Sequence, residues 1–464
     1  MNRREMLMMV GNGFGMTAFA HLAAANNVPS ETLEPQAPHF APKAKRVIFL
    51  FLNGGPSHID TFDPKPALEK YHGKPMPGST QVITGGGIKI NLGSVMRSPF
   101  NFKRYGQSGI EVSELFPRLG ECIDDVCVIR SMYTDVPNHP PALFMLNSGH
   151  NIAGRPAIGS WLVYGLGTEN QNLPGWVVLC PGLPVMGAQL WSSGFLPARY
   201  QGTWIENDRT DPEKLIPYVA PKYRSLSDQR VGLDLLSKLN RLQLKRQGPS
   251  APLEGTIQAM ETAFRMQTEA VDAFDISTES EKTRVAYGGG DFARGCLMAR
   301  RLVERGVRLV QLYFGAGQPW DSHTDILRHR ALALQSDQPI AALLKDLKDR
   351  GMLQETLVII GGEFGRSPAV QAEGTAGGVQ NGRNHNSYGF SMLLAGGGVK
   401  GGTIYGATDE FGLKAVDKPV HPHDLHATTL HLCGVDHTKL TYRYSGRDFR
   451  LTDVGGKVIK DIIA

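Results

Sequence analysis

Short apolar runs alternate with longer amphipathic stretches along this chain, and the runs are too continuous to be half-exposed strands. Arg46–Leu52, Asp125–Arg130, Trp176–Leu179, Val307–Phe314, Thr356–Ile360 and Ser391–Ala395 are each rich in Val, Ile, Leu or Phe. A strand buried on both faces needs no polar alternation, so these runs predict strands of a covered, parallel sheet. Between them the period lengthens to that of helices. Phe292–Arg305 precedes one run and Thr324–Arg350 precedes another, and a last helix over Leu425–Cys433 is opened by Pro422, His423 and Asp424 in the manner of a capped start. Helix then strand, repeated, predicts an α/β fold: a mostly parallel central sheet with helices on both faces.

Two regions break the alternation. Residues 225–276 carry Leu233, Leu236, Leu239 and Leu242, then Met260, Phe264 and Val271, with no strand signal. An inserted helical segment is expected there, its leucines packed against the sheet. At the N-terminus, Arg3 and Arg4 precede an apolar stretch, Met6–Ala25, that closes on Ala23, Ala24 and Ala25. Residues 1–25 therefore read as a twin-arginine signal peptide, which implies export to the periplasm or the outside; an amphipathic helix of a cytosolic protein is the alternative. Gly11, Asn12, Gly13 and Gly15 make the stretch too weak for a stable membrane span. Residues 26–45, rich in Pro and Ala, read as a linker before the folded domain, 46–464.

Composition narrows the classes. With 464 residues, 41% hydrophobic and 20% charged, the chain can bury a large core and is not disordered. Its 54 glycines and 29 prolines suit many long connections, where sites are commonly carried. A net charge of +5 without a dense basic stripe argues against a nucleic-acid partner. The five cysteines, Cys122, Cys127, Cys180, Cys296 and Cys433, lack metal-type pair spacing and read as buried thiols, although Cys122 and Cys127 are close enough in sequence to pair in an oxidising compartment.

The candidate chemistry sits just beyond the apolar runs: Asn53-Gly54-Gly55, Trp320-Asp321-Ser322-His323, Gly362-Glu363-Phe364-Gly365-Arg366 and Asn384-His385-Asn386. Open α/β sheets build their sites at such a rim. Asp321 and His323, two apart, point the same way in extended backbone, and imidazole with carboxylate suits zinc or another borderline divalent cation. Arg366 offers a bidentate fork for phosphate or sulfate, and the amides of Gly54 and Gly55 offer further anion-binding donors.

The order of these motifs, with Leu52–Lys65 and Arg155–Trp161, resembles the bacterial domain-of-unknown-function family 1501, which is sulfatase-like, belongs to the alkaline phosphatase superfamily and commonly carries twin-arginine signals. The resemblance covers almost all of the chain from Arg46 onward. It implies a sulfatase-like α/β domain in which Asp321, His323 and His385 hold one metal ion and Glu363 serves a second. That second site looks depleted, because Phe364 stands where superfamily enzymes commonly have His, and Asn53 stands where the first strand would end in Asp; Asp60 or His58 is the available substitute. Where sulfatases place a Cys or Ser nucleophile this chain has His139, with the hydroxyls of Thr134 and Ser131 just upstream; His139 is equally read as a helix cap or a metal ligand. The implied cofactor is a divalent ion, zinc, calcium or manganese. The implied activity is hydrolysis of an anionic small-molecule or polysaccharide ester, phosphate or sulfate. The competing reading is a degenerate member that binds an anionic ligand or partner without turnover.

Overall fold

The computed structural model describes residues 33–77, 81–83, 89–209, 211, 215, 225–248, 250, 257, 260, 261, 264, 265, 272–371 and 381–464. The signal-peptide reading of residues 1–25, and residues 26–32 of the linker, lie outside them; residues 33–45 form neither helix nor strand.

All six predicted strands form, at Arg46–Phe51, Val126–Met132, Trp176–Leu179, Leu309–Tyr313, Thr356–Gly361 and Phe390–Ala395. With Thr203–Ile205 and Thr403–Tyr405 they make an eight-stranded sheet. Arg46–Phe51 lies near its middle, parallel to Thr356–Gly361 on one side and to Leu309–Tyr313 on the other. Phe51 is level with both Gly361 and Tyr313, so three strands end together and their following loops start at one height. Phe390–Ala395 alone runs against its neighbours, Thr356–Gly361 and Val126–Met132.

Both faces are covered, which explains the unbroken apolar runs. Ile48, Leu50, Val310, Leu312, Val358 and Ile360 pack with Phe292, Leu297 and Leu302 of the helix Asp291–Glu304, and with Leu343 and Leu347 of the helix Arg328–Asp349. On the alternate face Gln311 and Tyr313 hydrogen-bond Asn147 of the helix His139–Ser148, and the Trp176 ring lies against Gly159 of the helix Ile158–Leu166. The last helix, Pro422–Leu432, starts three residues earlier than its leucines suggest, because the His421 side chain and Asp424 cap its first turn.

Two expectations are corrected. The helix predicted from Thr324 begins at Arg328, because the backbone of 324–326 is spent instead on Asn381: Asn381 N–H donates to Thr324 O (3.1 Å) and Ile326 N–H to Asn381 O (3.1 Å). The inserted helix forms over Leu226–Gln247, but Leu236, Leu239 and Leu242 are 38%, 53% and 53% exposed and do not pack on the sheet. That helix is tied down from its polar side, where Arg230 pairs with Asp234 and Glu261 and lies over the Phe264 ring. Val271 lies outside the described residues. All five cysteines are free and buried, as expected of buried thiols, and Cys122 and Cys127 do not pair. Among the described residues no helix is long and apolar enough to cross a membrane.

Candidate metal centre

The flush strand ends set the site. Asn53 follows Arg46–Phe51, Asp321 and His323 follow Leu309–Tyr313, Glu363 follows Thr356–Gly361, and His139 opens the helix reached from Val126–Met132. His385 arrives from the other direction, on the short strand Arg383–Asn386 that leads into the reversed strand Phe390–Ala395. A strand running backwards begins where its parallel neighbours end, so an incoming loop meets the outgoing ones at one edge.

There His139, Asp321, His323 and His385 each offer one ligand atom, and the four atoms lie within 4.8 Å of one another, the one such group among the described residues. His323 Nε2 is 2.9 Å and His385 Nε2 3.5 Å from Asp321 Oδ1, and His139 Nε2 is 3.4 Å from Asp321 Oδ2. A tetrahedral zinc site with bonds of about 2.1 Å places its donor atoms roughly 3.4 Å apart, so the spacing fits a cation. The wiring behind the ligands fits as well. Each imidazole has its Nδ1 against an acceptor: His139 at Glu363 Oε1 (2.6 Å), His385 at Pro137 O (2.9 Å) and His323 at Gln371 Oε1. An Nδ1 that donates carries the proton of a neutral ring, so in the neutral form each of the three Nε2 atoms presents a lone pair inward. The His323 and His385 Nε2 atoms are 2.9 Å apart, and two facing lone pairs repel unless a positive charge lies between them. His139 Nε2 and Asp321 Oδ1 are buried without an aligned hydrogen bond.

Charge points the same way. With neutral imidazoles, the carboxylates of Asp321 and Glu363 outnumber the one guanidinium beside them, Arg366, which is 2.7 Å from Asp321 Oδ1. Burial pushes the Asp321 carboxyl up, but His139, His323, His385 and Arg366 together hold it far below the usual carboxylate range. For His139 burial favours the neutral ring, yet the carboxylates of Asp321 (3.4 Å from Nε2) and Glu363 (2.6 Å from Nδ1) raise it above the ordinary histidine value, the response of a ring facing uncompensated negative charge. His385 is pulled down to about 4 by burial and by the charge of Arg366 and the neighbouring rings, so it stands neutral and ready to ligate. Side-chain exposures of 28% for His323 and 22% for Asp321, against 7% for His139, leave the cluster open on the His323 side.

The other expected residues take supporting places. Glu363, fully buried, accepts from Gly54 N–H (3.0 and 3.2 Å) and from His139, so it stands behind a ligand and does not face the cluster. Asn53 is not a ligand here: its amide donates to Gly315 O (2.9 Å) and Gly317 O (2.7 Å) and its oxygen accepts from Phe314 N–H (3.1 Å), bracing the loop that delivers Asp321. Arg366 is fully buried and spends its guanidinium on Gly55 O (2.8 Å), Gly54 O and Asp321; with the Gly54 amide on Glu363, neither is free to grip an anion. Gly55, at φ +72, lets the chain pass against the Phe364 ring, which any Cβ there would strike. Asp60 is buried in an ion pair with Arg383 (2.7 Å), and His58 Nε2 is against Gly412 O (2.7 Å), so neither substitutes in a second site. Thr134 carries a buried hydroxyl with no hydrogen-bond partner, whereas Ser131 donates to Lys418 O (2.7 Å).

Sequence reasoning missed Gln371 and Gly382. Gly382 is packed directly on the His323 carbonyl, and Arg383 N–H donates to Ser322 O (3.1 Å), so the segments carrying the two outer imidazoles are laced together. Only its glycine identity marked the position. Two surface clefts of about 450 and 460 Å³, one lined by Arg46, Glu169 and Arg305 and the other by Lys65, Tyr71 and Asp409, contain none of the cluster residues.

Residues 44–463 match the sequence profile of the family described as "Protein of unknown function (DUF1501)". Comparison with curated proteins gives no match. Among solved structures the chain is similar to a sulfatase from Pseudoalteromonas sp., with 12% identity over 84% of this chain and 68% of that one, at a TM-score of 0.34. It is similar to a protein in the alkaline phosphatase superfamily from Vibrio parahaemolyticus, with 12% identity over 89% and 71% of the two chains and a TM-score of 0.34. A third is a phosphonate monoester hydrolase from Silicibacter pomeroyi, with 11% identity over 69% and 68% and a TM-score of 0.30. Scores this low carry no argument about chemistry.

Proposed function

The chain belongs to the DUF1501 family, and from that premise we propose that it is a metal-dependent hydrolase of phosphate or sulfate esters, exported by its twin-arginine N-terminus. The observation that carries this reading is the common wiring of His139, His323 and His385, three imidazoles whose Nδ1 atoms are held from behind and whose Nε2 atoms converge on Asp321. Such a set is suited to a divalent cation, with zinc favoured over calcium because nitrogen donors predominate. When bound, that ion polarises an ester oxygen and offsets charge on the leaving oxygen. The chain's own part is to aim the donors. Glu363, Gln371 and Pro137 O fix the rings, and Arg366 fixes the Asp321 carboxylate from the buried side. The open His323 side is where an ester would approach.

The non-catalytic alternative, an anion binder, gains little from these contacts, because Arg366 and the Gly54 amide are already consumed internally. Elemental analysis of purified protein is the deciding first measurement, followed by screening aryl phosphates and sulfates with zinc, manganese and calcium. One divalent ion per chain, lost in His385→Ala together with turnover, is expected. A wild type that takes up no divalent ion from micromolar solution defeats the proposal.

A further inference from the structure

Five fully buried residues, Ser57, Asp60, Arg383, Ser322 and His329, close a circuit of hydrogen bonds beside the cluster. The Ser57 hydroxyl donates to Asp60 Oδ2, and Arg383 holds the same carboxylate from two nitrogens, Nε to Oδ2 (2.7 Å) and Nη2 to Oδ1 (3.2 Å). The Arg383 amide then donates to Ser322 O (3.1 Å). From Ser322 the path returns through His329, whose Nδ1 is 3.3 Å from the Ser322 hydroxyl and whose Nε2 accepts from Ser57 N–H (3.1 Å). A neutral imidazole that accepts at Nε2 carries its proton at Nδ1, so one tautomer serves both neighbours. The Trp320 ring, edge-on at a centroid distance of 4.9 Å, packs against His329. The remaining Arg383 contacts are to Ser367 O (3.2 Å), Met96 O (3.1 Å) and Arg97 O (3.2 Å), so its guanidinium is committed on every side.

The circuit joins the segments that carry three of the four cluster residues. Ser322 lies between Asp321 and His323, Arg383 is two residues before His385, and Ser57 and Asp60 belong to the loop that follows Arg46–Phe51. Ser322 is fully buried whereas Asp321 and His323 are 22% and 28% exposed, so it turns away from the open side of the cluster. A buried polar network whose members are all satisfied has one arrangement and resists sliding. We infer that His329 is a positioning residue of the metal centre: it closes the circuit that fixes the loop bearing Asp321 and His323 against the strand bearing His385, and so sets how tightly those three hold a divalent ion. The inference rests on the metal-dependent reading above. His329 reaches the ligands only through Ser322 and Ser57. Slack of a few tenths of an ångström in the donor spacing matters to a cation with bonds of about 2.1 Å.

The test compares the full chain with His329→Phe, His329→Gln and Ser322→Ala. Competition with a zinc-binding dye gives zinc affinity, the visible absorption of the cobalt(II)-loaded protein reports ligand geometry, and urea unfolding of the metal-free protein reports folding. Phenylalanine fills the space beside Trp320 but neither accepts from Ser57 N–H nor donates to Ser322. In that variant zinc affinity is expected to fall about tenfold, the lower end of the usual loss for a group supporting a ligand, with an altered cobalt spectrum. Glutamine carries both an acceptor and a donor and is expected to recover most of the loss. Ser322→Ala, which removes one hydroxyl and leaves the carbonyl that meets Arg383, is expected to weaken zinc in the same direction. A folded His329→Phe protein with the wild-type affinity and cobalt spectrum overturns the inference, as does a glutamine variant no better than phenylalanine. If His329→Phe does not fold, wild-type affinity in Ser322→Ala overturns it instead. A wild type that takes up no zinc brings down the metal reading and this inference together, whereas unaltered variants of a zinc-binding wild type bring down this inference alone.

Discussion

Replacing Arg366 by Lys separates two roles that the residue could have at such a rim. The guanidinium reaches three directions at once: Nε donates to Gly55 O (2.8 Å), Nη2 to Gly54 O, and Nη2 also lies 2.7 Å from Asp321 Oδ1. A lysine ammonium is a point donor on a flexible stem and cannot span that fork, so at least one buried carbonyl, or the carboxylate, is left without a partner. An orphaned buried polar group costs about 1–3 kcal/mol, and one partner of a buried ion pair about 3–5 kcal/mol when left alone, so the lysine variant, which keeps its charge, is expected to lose roughly 2–4 kcal/mol. Because Arg366 also holds the Asp321 carboxylate, zinc affinity is expected to fall about 10–100-fold, the usual effect of losing a partner behind a ligand. Urea unfolding followed by circular dichroism in chelator measures the first quantity, and competition with a zinc-binding dye measures the second. An unchanged unfolding midpoint, with loss confined to the affinity for phosphate, would refute the bracing role and restore the anion clamp expected from sequence.

Two further outcomes follow from burial and charge. His329 and His426 are each fully buried and pulled by burial to about 3; His329 Nε2 accepts from Ser57 N–H (3.1 Å), which a protonated ring cannot do. Their folded values lie below the unfolded one of about 6.5, so the unfolded chain binds more protons, and stability is full above about pH 6.5 and falls toward pH 3 by about 1.4 kcal/mol per unit for each ring. Urea titrations at pH 7.5 and 5.0 check this, and His426→Gln is expected to lower the slope below pH 6.5 by one ring's share, about 1.4 kcal/mol per unit; a variant whose slope equals that of the wild type contradicts it. On the inserted helix, Leu239→Glu and Leu242→Glu are each expected to change unfolding free energy by less than about 0.5 kcal/mol, because both leucines are more than half exposed. A loss above about 2 kcal/mol in the same titration would mean that they are covered.

The sheet was legible in the sequence because burial on both faces leaves a simple trace. Ile48 and Leu50 serve one face, Val47 and Phe49 the other, and all four are buried, so the run reads as continuous. Strand ends were legible for the same reason, and they placed Asp321, His323 and His385 together correctly as neighbours. What each polar residue does there was not legible. Glu363, Asn53 and Arg366 have the side chains of ligands and clamps, but whether a carboxylate faces an ion or backs an imidazole depends on a turn of a few ångströms that no spacing encodes. The leucine stripe failed for a related reason. Helical periodicity shows that Leu236, Leu239 and Leu242 share a face, but not whether anything lies opposite it.

The bare hydrogen of Gly382 acts as a gauge for the whole rim. It rests on the His323 carbonyl while its chain neighbour Arg383 is stitched to Ser322, so the spacing of the two segments that carry the imidazoles is set by direct backbone contact. A methyl group inserted there would act as a wedge, prising the jaws apart while the sheet beneath, whose core does not involve this position, stayed whole. The rim thus has a spacer whose failure produces a folded protein with a gap too wide to close on an ion.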